Sequence, residues 1–365
     1  MKKQIPSLNG LRALSIFLVL YAHGYISVVT FLQHVFSHIS PSIADKLTHT
    51  IQTAEIPGGQ IGVNIFFVIS GYLITLLLVK EEKANGFVSL KLFYIRRTIR
   101  IFPVYYFLLL VYFLFQLIGL FSFSSDSWIR SLTYSKDFPL AKGSDWETGH
   151  LWSLSVEEHF YLLWPLIFKF LKKNKMTFAI LVIVASTTVR LFTDTTHMHL
   201  FTRADALMWG CIFGLYNEKI IAFLNGIYAK NKYFVVLPFI VMLLAIASKK
   251  IFSLLGLYNT EHIVEAFLGS FGMITDISIA FAIIISINFE SNLWFKLLNS
   301  PFLEYIGKLS YSIYLWQQIF FSDKVGNLNT FPLNLLMIFV VANLSFYVVE
   351  KPLLSLRTKF KAKGV

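Results

Sequence analysis

A single cysteine, Cys211, stands in the whole chain, which excludes an internal disulfide as a source of stability. Charge is scarce as well. Asp, Glu, Lys and Arg make up 14% of residues, against about 25% in an ordinary soluble domain. Long polar stretches are missing too: the longest candidate loops, roughly 31–59 and 122–150, are under thirty residues each, so no separate soluble domain fits. There is no internal repeat and no low-complexity tract. No small-x-small cleavage signature follows the first apolar run, and that run exceeds the about 7–15 residues of a secretory signal. Several chemistries are excluded in the same way. The nine histidines show no H-E-x-x-H or comparable metal spacing, and neither a G-x-S-x-G elbow nor a phosphate-cradling glycine loop occurs.

What is present is apolar. Hydrophobic residues make up 56% of the chain, and the mean hydropathy is +0.65. This composition predicts an all-α, polytopic integral membrane protein. About ten spans can be drawn, over 11–30, 60–79, 101–121, 151–170, 177–192, 204–216, 233–248, 264–288, 308–321 and 331–350. A bilayer core of about 30 Å needs about 20 helical residues, so the sixth and ninth are short. The formal net charge of +12 would suit nucleic acid, but its distribution argues otherwise. With the N-terminus inside, 23 of the 32 Lys and Arg fall on inside segments and 9 on outside ones. That is the positive-inside bias. It puts both termini in the cytoplasm, makes most of the excess topological, and leaves membrane lipids rather than nucleic acid as the partner. The division is a transmembrane unit over 1–350 and a short basic cytoplasmic tail over 351–365.

Membrane insertion has no use for Arg12 or His23, yet both lie in or beside the first apolar run, with ten residues between them. An ionisable group at the centre of a span costs about 2.5–3.5 kcal/mol on insertion scales, so it normally faces a protein interior or a wet pathway. Eleven steps of about 100° end about 20° past three full turns, so the two share a helix face, about 16 Å apart along the axis. Counting from the outer end of each span puts His23 about 10 Å deep, and Glu157 and Glu158 about 10–12 Å deep on span four. A carboxylate at that depth would orient or charge the imidazole. The plainer alternative is that His23 only satisfies a neighbouring helix. Arg96, Arg97 and Arg100 crowd the start of span three, Arg97 and Arg100 at i,i+3 on one face. They suit a bidentate phosphate clamp, or equally a set of topogenic arginines on anionic headgroups. Pro103 reads as a first-turn proline. Arg203 and Asp205 stand at the outer end of span six, placed for an external polar substrate or for pairing at the membrane edge. Asn64, Ser70 and Tyr72 are polar on span two, either lining a cavity or bonding between helices. Asp276 and Glu350 read as structural.

Seven segments in order resemble one family: SLNGLRALSIFLVLYAHG, GVNIFFVISGYLIT, FYIRRTIRIFP, HLWSLSVEEHFYLLWP, RADALMWG, IGKLSYSIYLW and YVVEKP. They look like the signature segments of the acyltransferase-3 family, integral-membrane O-acyltransferases that modify surface glycans such as lipopolysaccharide O-antigen and peptidoglycan. The resemblance runs from Leu8 to about Pro352. It implies a multi-pass enzyme of the inner, cytoplasmic membrane, with acetyl-CoA as acyl donor, no metal, and a surface polysaccharide or its lipid-linked precursor as acceptor. By the same resemblance His23, Glu157 and Arg12 are catalytic, Arg97 and Arg100 (with Arg96) bind the donor, and Arg203 and Asp205 bind substrate. Many relatives carry histidine in a Y-L-W-H element where this chain has Gln317, which concentrates the acid/base work on His23. A standalone acetylase, without a C-terminal esterase-like domain, is the expectation. A transporter or flippase of a lipid-linked glycan is the rival reading, since it too explains intramembrane charge; the lack of repeats counts against it.

Overall fold

The computed structural model describes residues 5–37, 40, 46, 58–138, 145–192, 200–256, 261–290, 293–356 and 360. Most of the loop expected over 31–59, and residues 357–359 and 361–365 of the basic tail, lie outside them. All regular structure among the described residues is helical. The principal helices are α1 (Leu8–Ser37), α2 (Gly58–Asn85), α3 (Leu90–Leu117), α4 (Leu151–Phe170), α5 (Lys175–Phe192), α6 (Leu200–Leu215), α7 (Asn217–Lys230), α8 (Leu237–Leu254), α9 (Met273–Asn288), α10 (Pro301–Phe320) and α11 (Leu333–Ser345). Among the described residues, five helical stretches are long and apolar enough to cross a membrane, and a sixth if α6 and α7 count as one span bent by 81°. The chain is thus a multi-pass, membrane-embedded helical protein. α4 and α10 are also 20 residues long, but carry Glu157, Glu158 and Lys169, and Glu304 and Lys308.

Small residues set the packing. α2 is the centre, with 72% of its most apolar window buried against 28% for α1. It crosses α6 where Gly71 meets the Leu207 carbonyl and Gly210 meets the Val68 carbonyl; a β-carbon at either glycine would overlap that oxygen. Without a hydrophobic effect between helices in lipid, such close backbone approach is a main source of attraction. The pairings also fix direction. Gly71 with Leu207 and Gly214 with Thr75 make α2 and α6 parallel, whereas Gly62 beside Ser15 and Gly58 beside Leu18 make α1 and α2 antiparallel. α1 and α10 are parallel, Asn9 lying beside Gly307 and Gly24 beside Phe321.

Two elements depart from the expected spans. α3 begins at Leu90, eleven residues before the apolar run, because Ser89 caps it by accepting from the Leu92 amide at 3.5 Å. Its three arginines therefore lie inside the helix, and Pro103 sits in its interior rather than its first turn. The span expected over 264–288 is broken between a short helix, Glu261–Phe267, and α9. A break in a membrane must satisfy its freed carbonyls locally. Here Thr275 Oγ1 donates to Gly269 O at 2.8 Å and Leu268 O at 3.1 Å, while Asn64 Nδ2 donates to Ser270 O at 3.0 Å.

Candidate active site

Helices α1, α2, α3, α4 and α10 surround a partly open cavity of about 90 Å³ lined by Arg12, Ser70, Arg97, Arg100, Glu157, Tyr161 and Tyr314 among others. Ligand pockets that swallow a whole drug-sized molecule run to about 300–1,000 Å³, so this one suits a small group rather than an entire nucleotide. Each helix contributes for a local reason. The i,i+3 spacing of Arg97 and Arg100 turns both guanidinium groups to one face of α3. Glu157 and Tyr161 are i,i+4 on α4, and Tyr161 donates to Ser70 Oγ at 3.0 Å, which donates to Glu157 Oε1 at 2.5 Å. The Arg97 guanidinium lies 5.3 Å from the centre of the Tyr161 ring and 5.7 Å from that of Phe93, within cation–π range.

The charge balance defines what the cavity can accept. Three arginines and one carboxylate line it. Two further carboxylates lie within electrostatic reach of these arginines: Glu350 of Arg12 and Arg100, and Glu158 of Arg97. Glu350 comes from a π-helical turn, Phe346–Glu350, and accepts from Ser312 Oγ at 2.9 Å. In the lining itself the arginines outnumber the carboxylate three to one, which favours an anionic guest over a neutral one at that surface.

His23 is elsewhere. It is not among the residues lining this cavity. Its Nδ1 lies 3.2 Å from Gln317 Oε1 on α10, and its ring meets Trp146 edge-on at 5.9 Å. His150, just before α4, is within electrostatic range of it. Tyr314 links the two places: it lines the cavity, donates to the His150 carbonyl at 2.8 Å, and shares a 2.5 Å hydrogen bond with Ser153.

The expected pairing of His23 with Glu157 is therefore corrected. His150 Nε2 lies 3.2 Å from Leu315 O, so the start of α4 is level with the last turns of α10, and hence with His23. Glu157 is seven residues, about 10 Å, further along α4, which brings it to Ser70 and the arginine cavity. The depth count failed because it assumed that α1 and α4 end in the same plane. α1 runs on to Ser37, well past that level.

The remaining expected residues separate. Arg12, Arg97 and Arg100 come together in the cavity, but Arg96 does not line it. Arg96 pairs with Glu81 at 3.2 Å and donates to the Phe360 carbonyl at 3.3 Å. Arg203 and Asp205 are buried away from the cavity. Asp205 accepts from Arg190 Nη2 at 2.5 Å, and the Arg203 guanidinium stacks 3.3 Å from the centre of the Phe271 ring. Of the polar α2 residues only Ser70 reaches the cavity; Asn64 binds Asp276 at 2.6 Å and Tyr72 binds Asn217 at 2.8 Å. Sequence reasoning missed Tyr161, Tyr314 and His150. Only the first carried a signal, its i,i+4 spacing from Glu157. No cluster of three or more metal-ligating side chains occurs among the described residues.

A polytopic helical membrane protein with an arginine-rich cavity and a separate partly exposed histidine is the class that these features define. The chain belongs to the acyltransferase-3 family: the family's model, an acyltransferase domain, matches residues 5–349. It is similar to the peptidoglycan O-acetyltransferase OatA of Listeria monocytogenes, 26% identical over 96% of this chain and 56% of that protein. It is also similar to the O-acetyltransferase OatA of Staphylococcus aureus, 27% identical over 96% of this chain and 57% of that protein. The chain thus spans somewhat more than half the length of these relatives. No solved structure matches it. It is thus a membrane-embedded member of an acyltransferase family, similar along nearly its whole length to O-acetyltransferases.

Proposed function

We propose that this protein moves an acetyl group from cytoplasmic acetyl-CoA to a hydroxyl of a cell-surface polysaccharide or its lipid-linked precursor, across the inner membrane. The convergence of Arg12, Arg97 and Arg100 on one cavity carries this reading. In it, Arg97 and Arg100 hold donor phosphates bidentately, and Arg12 steadies the donor further along the route. Glu157, held by Ser70, balances the arginine charge. His23 acts as general base: its Nε2 takes the acceptor hydroxyl proton as that oxygen attacks the thioester carbonyl carbon. The C–S bond breaks, and the departing thiolate takes the proton back from the imidazolium. Transfer requires acceptor oxygen and acetyl carbon to meet, so Tyr314 and Ser153, between cavity and His23, must part to let the acetyl end through. Peptidoglycan is one candidate acceptor, by the relatives' names; O-antigen is another.

Ten spans with both termini cytoplasmic remain the topology we propose. Parallel α1 and α10, parallel α2 and α6, and antiparallel α1 and α2 agree with the directions of spans one and nine, two and six, and one and two.

The test follows acetyl label from acetyl-CoA into envelope glycan in membranes carrying the protein. We expect transfer, and a loss of about 10²–10⁴-fold with His23→Ala at normal abundance. Movement of the lipid-linked saccharide without incorporation of label would refute acyl transfer in favour of a flippase. Wild-type transfer by His23→Ala would remove the base.

A further inference from the structure

Gln317 stands three residues from the end of α10, is 0% exposed, and spends its carbonyl oxygen on His23. Its amide nitrogen is buried with no hydrogen-bond partner among the described residues. An unmet buried donor costs about 1–3 kcal/mol, so a side chain serving only as packing would be better replaced by leucine. The oxygen end is equally informative. Oε1 carries no hydrogen, so at 3.2 Å it can only accept, and the imidazole must donate from Nδ1. In a neutral ring that leaves Nε2 without a proton. Nε2 has no hydrogen-bond partner among the described residues, and the ring is partly exposed beside Trp146.

We propose that Gln317 is the positioning residue of the acceptor half-site: Oε1 fixes His23 as the Nδ1–H tautomer with Nε2 free as base, and its amide N–H is held ready for an oxygen of the reacting substrate. This rests on the acetyl-transfer reading above. The parallel packing of α1 on α10, closed at Gly307 against Asn9, is what carries Gln317 to the level of His23. The proton from the acceptor hydroxyl goes to Nε2, and the resulting imidazolium keeps its Nδ1–H on Gln317. The negative charge that develops on the former carbonyl oxygen of the acetyl group is the natural partner for an unspent amide donor.

Two substitutions separate positioning from filling space. Gln317→Leu keeps approximate volume but removes acceptor and donor. Gln317→Glu keeps length and an acceptor oxygen but loses the amide donor. Maximal rates are read as label transferred from acetyl-CoA to envelope glycan in membranes, across pH 5–10, with protein abundance measured in parallel. The expected order is Gln, then Glu, then Leu, with Leu slower than wild type by about 10²-fold and the Michaelis constant for acetyl-CoA changed by less than about twofold. Gln317→Glu also carries a signature that packing would not produce. A carboxylate on Nδ1–H favours the imidazolium, so the acid limb of the rate profile moves to higher pH while alkaline activity is partly kept. Leucine matching or exceeding glutamate, or an acid limb that does not move, would overturn the assignment. Wild-type transfer by His23→Ala would instead overturn the underlying reading, whatever Gln317 does.

Discussion

Arg190 and Asp205 form the most deeply buried ion pair among the described residues, with side chains 0% and 1% exposed and Nη2 to Oδ2 at 2.5 Å. Asp205 reads from the sequence as a substrate ligand, but here it is committed to Arg190, whose Nη1 also donates to the Thr202 carbonyl at 2.7 Å. Desolvating two charges costs several kcal/mol per ion, and mutual attraction offsets this only in good geometry. Deleting one partner unbalances a buried cluster that also holds Arg203 and Asp276, a loss of about 3–5 kcal/mol. Asp205→Leu or Arg190→Met alone should therefore lower the unfolding midpoint in detergent and reduce abundance. The double variant, which leaves neither charge, should recover most of that loss. Michaelis constants of whatever enzyme survives should stay near wild type. Additive losses in the double variant would refute the pairing, and a selective rise in the acceptor Michaelis constant for stable Asp205→Leu would return Asp205 to the substrate site.

Three further outcomes are expected. Arg97→Lys and Arg100→Lys keep the positive charge but lose the planar fork, so on the proposed function the Michaelis constant for acetyl-CoA should rise while topology is unchanged; unaltered constants would assign both arginines to lipid. Gly71→Val drives side-chain atoms into the Leu207 carbonyl and should separate α2 from α6, abolishing folding, whereas the same change at Gly226, which meets nothing nearby, should be tolerated. Lys136, between α3 and α4, donates to Ser127 and Thr148 hydroxyls at 2.6 and 2.8 Å, and burial brings it down from 10.5 to about 8. Between those values the unfolded chain holds a proton that the folded one has released, so stability should rise with pH through about 8 to 10.5. Lys136→Met should flatten that rise in unfolding midpoints measured across the window, and an unchanged slope would show that another group is responsible.

The sequence alone determined the helical class and the approximate place of the apolar helices, because a membrane leaves the backbone little else to do and makes each intramembrane charge conspicuous. Arg12, Arg97, Arg100 and Glu157 stood out for that reason, and helical spacing correctly put Arg97 and Arg100 on one face. Periodicity within one helix says nothing of its level against another. Tertiary packing decided that: glycine contacts between backbones set the offsets of α1 on α10 and α2 on α6. Those offsets put Glu157 beside Ser70 instead of His23, and brought Gln317, a residue notable in the sequence only for not being histidine, against the imidazole. They also gave Asp205 to Arg190. Partners more than one turn apart in sequence were legible only once the helices had been fixed against one another, since hydrogen bonds reach about 3 Å and a slip of one residue along a helix moves a side chain by 1.5 Å and about 100° around the axis.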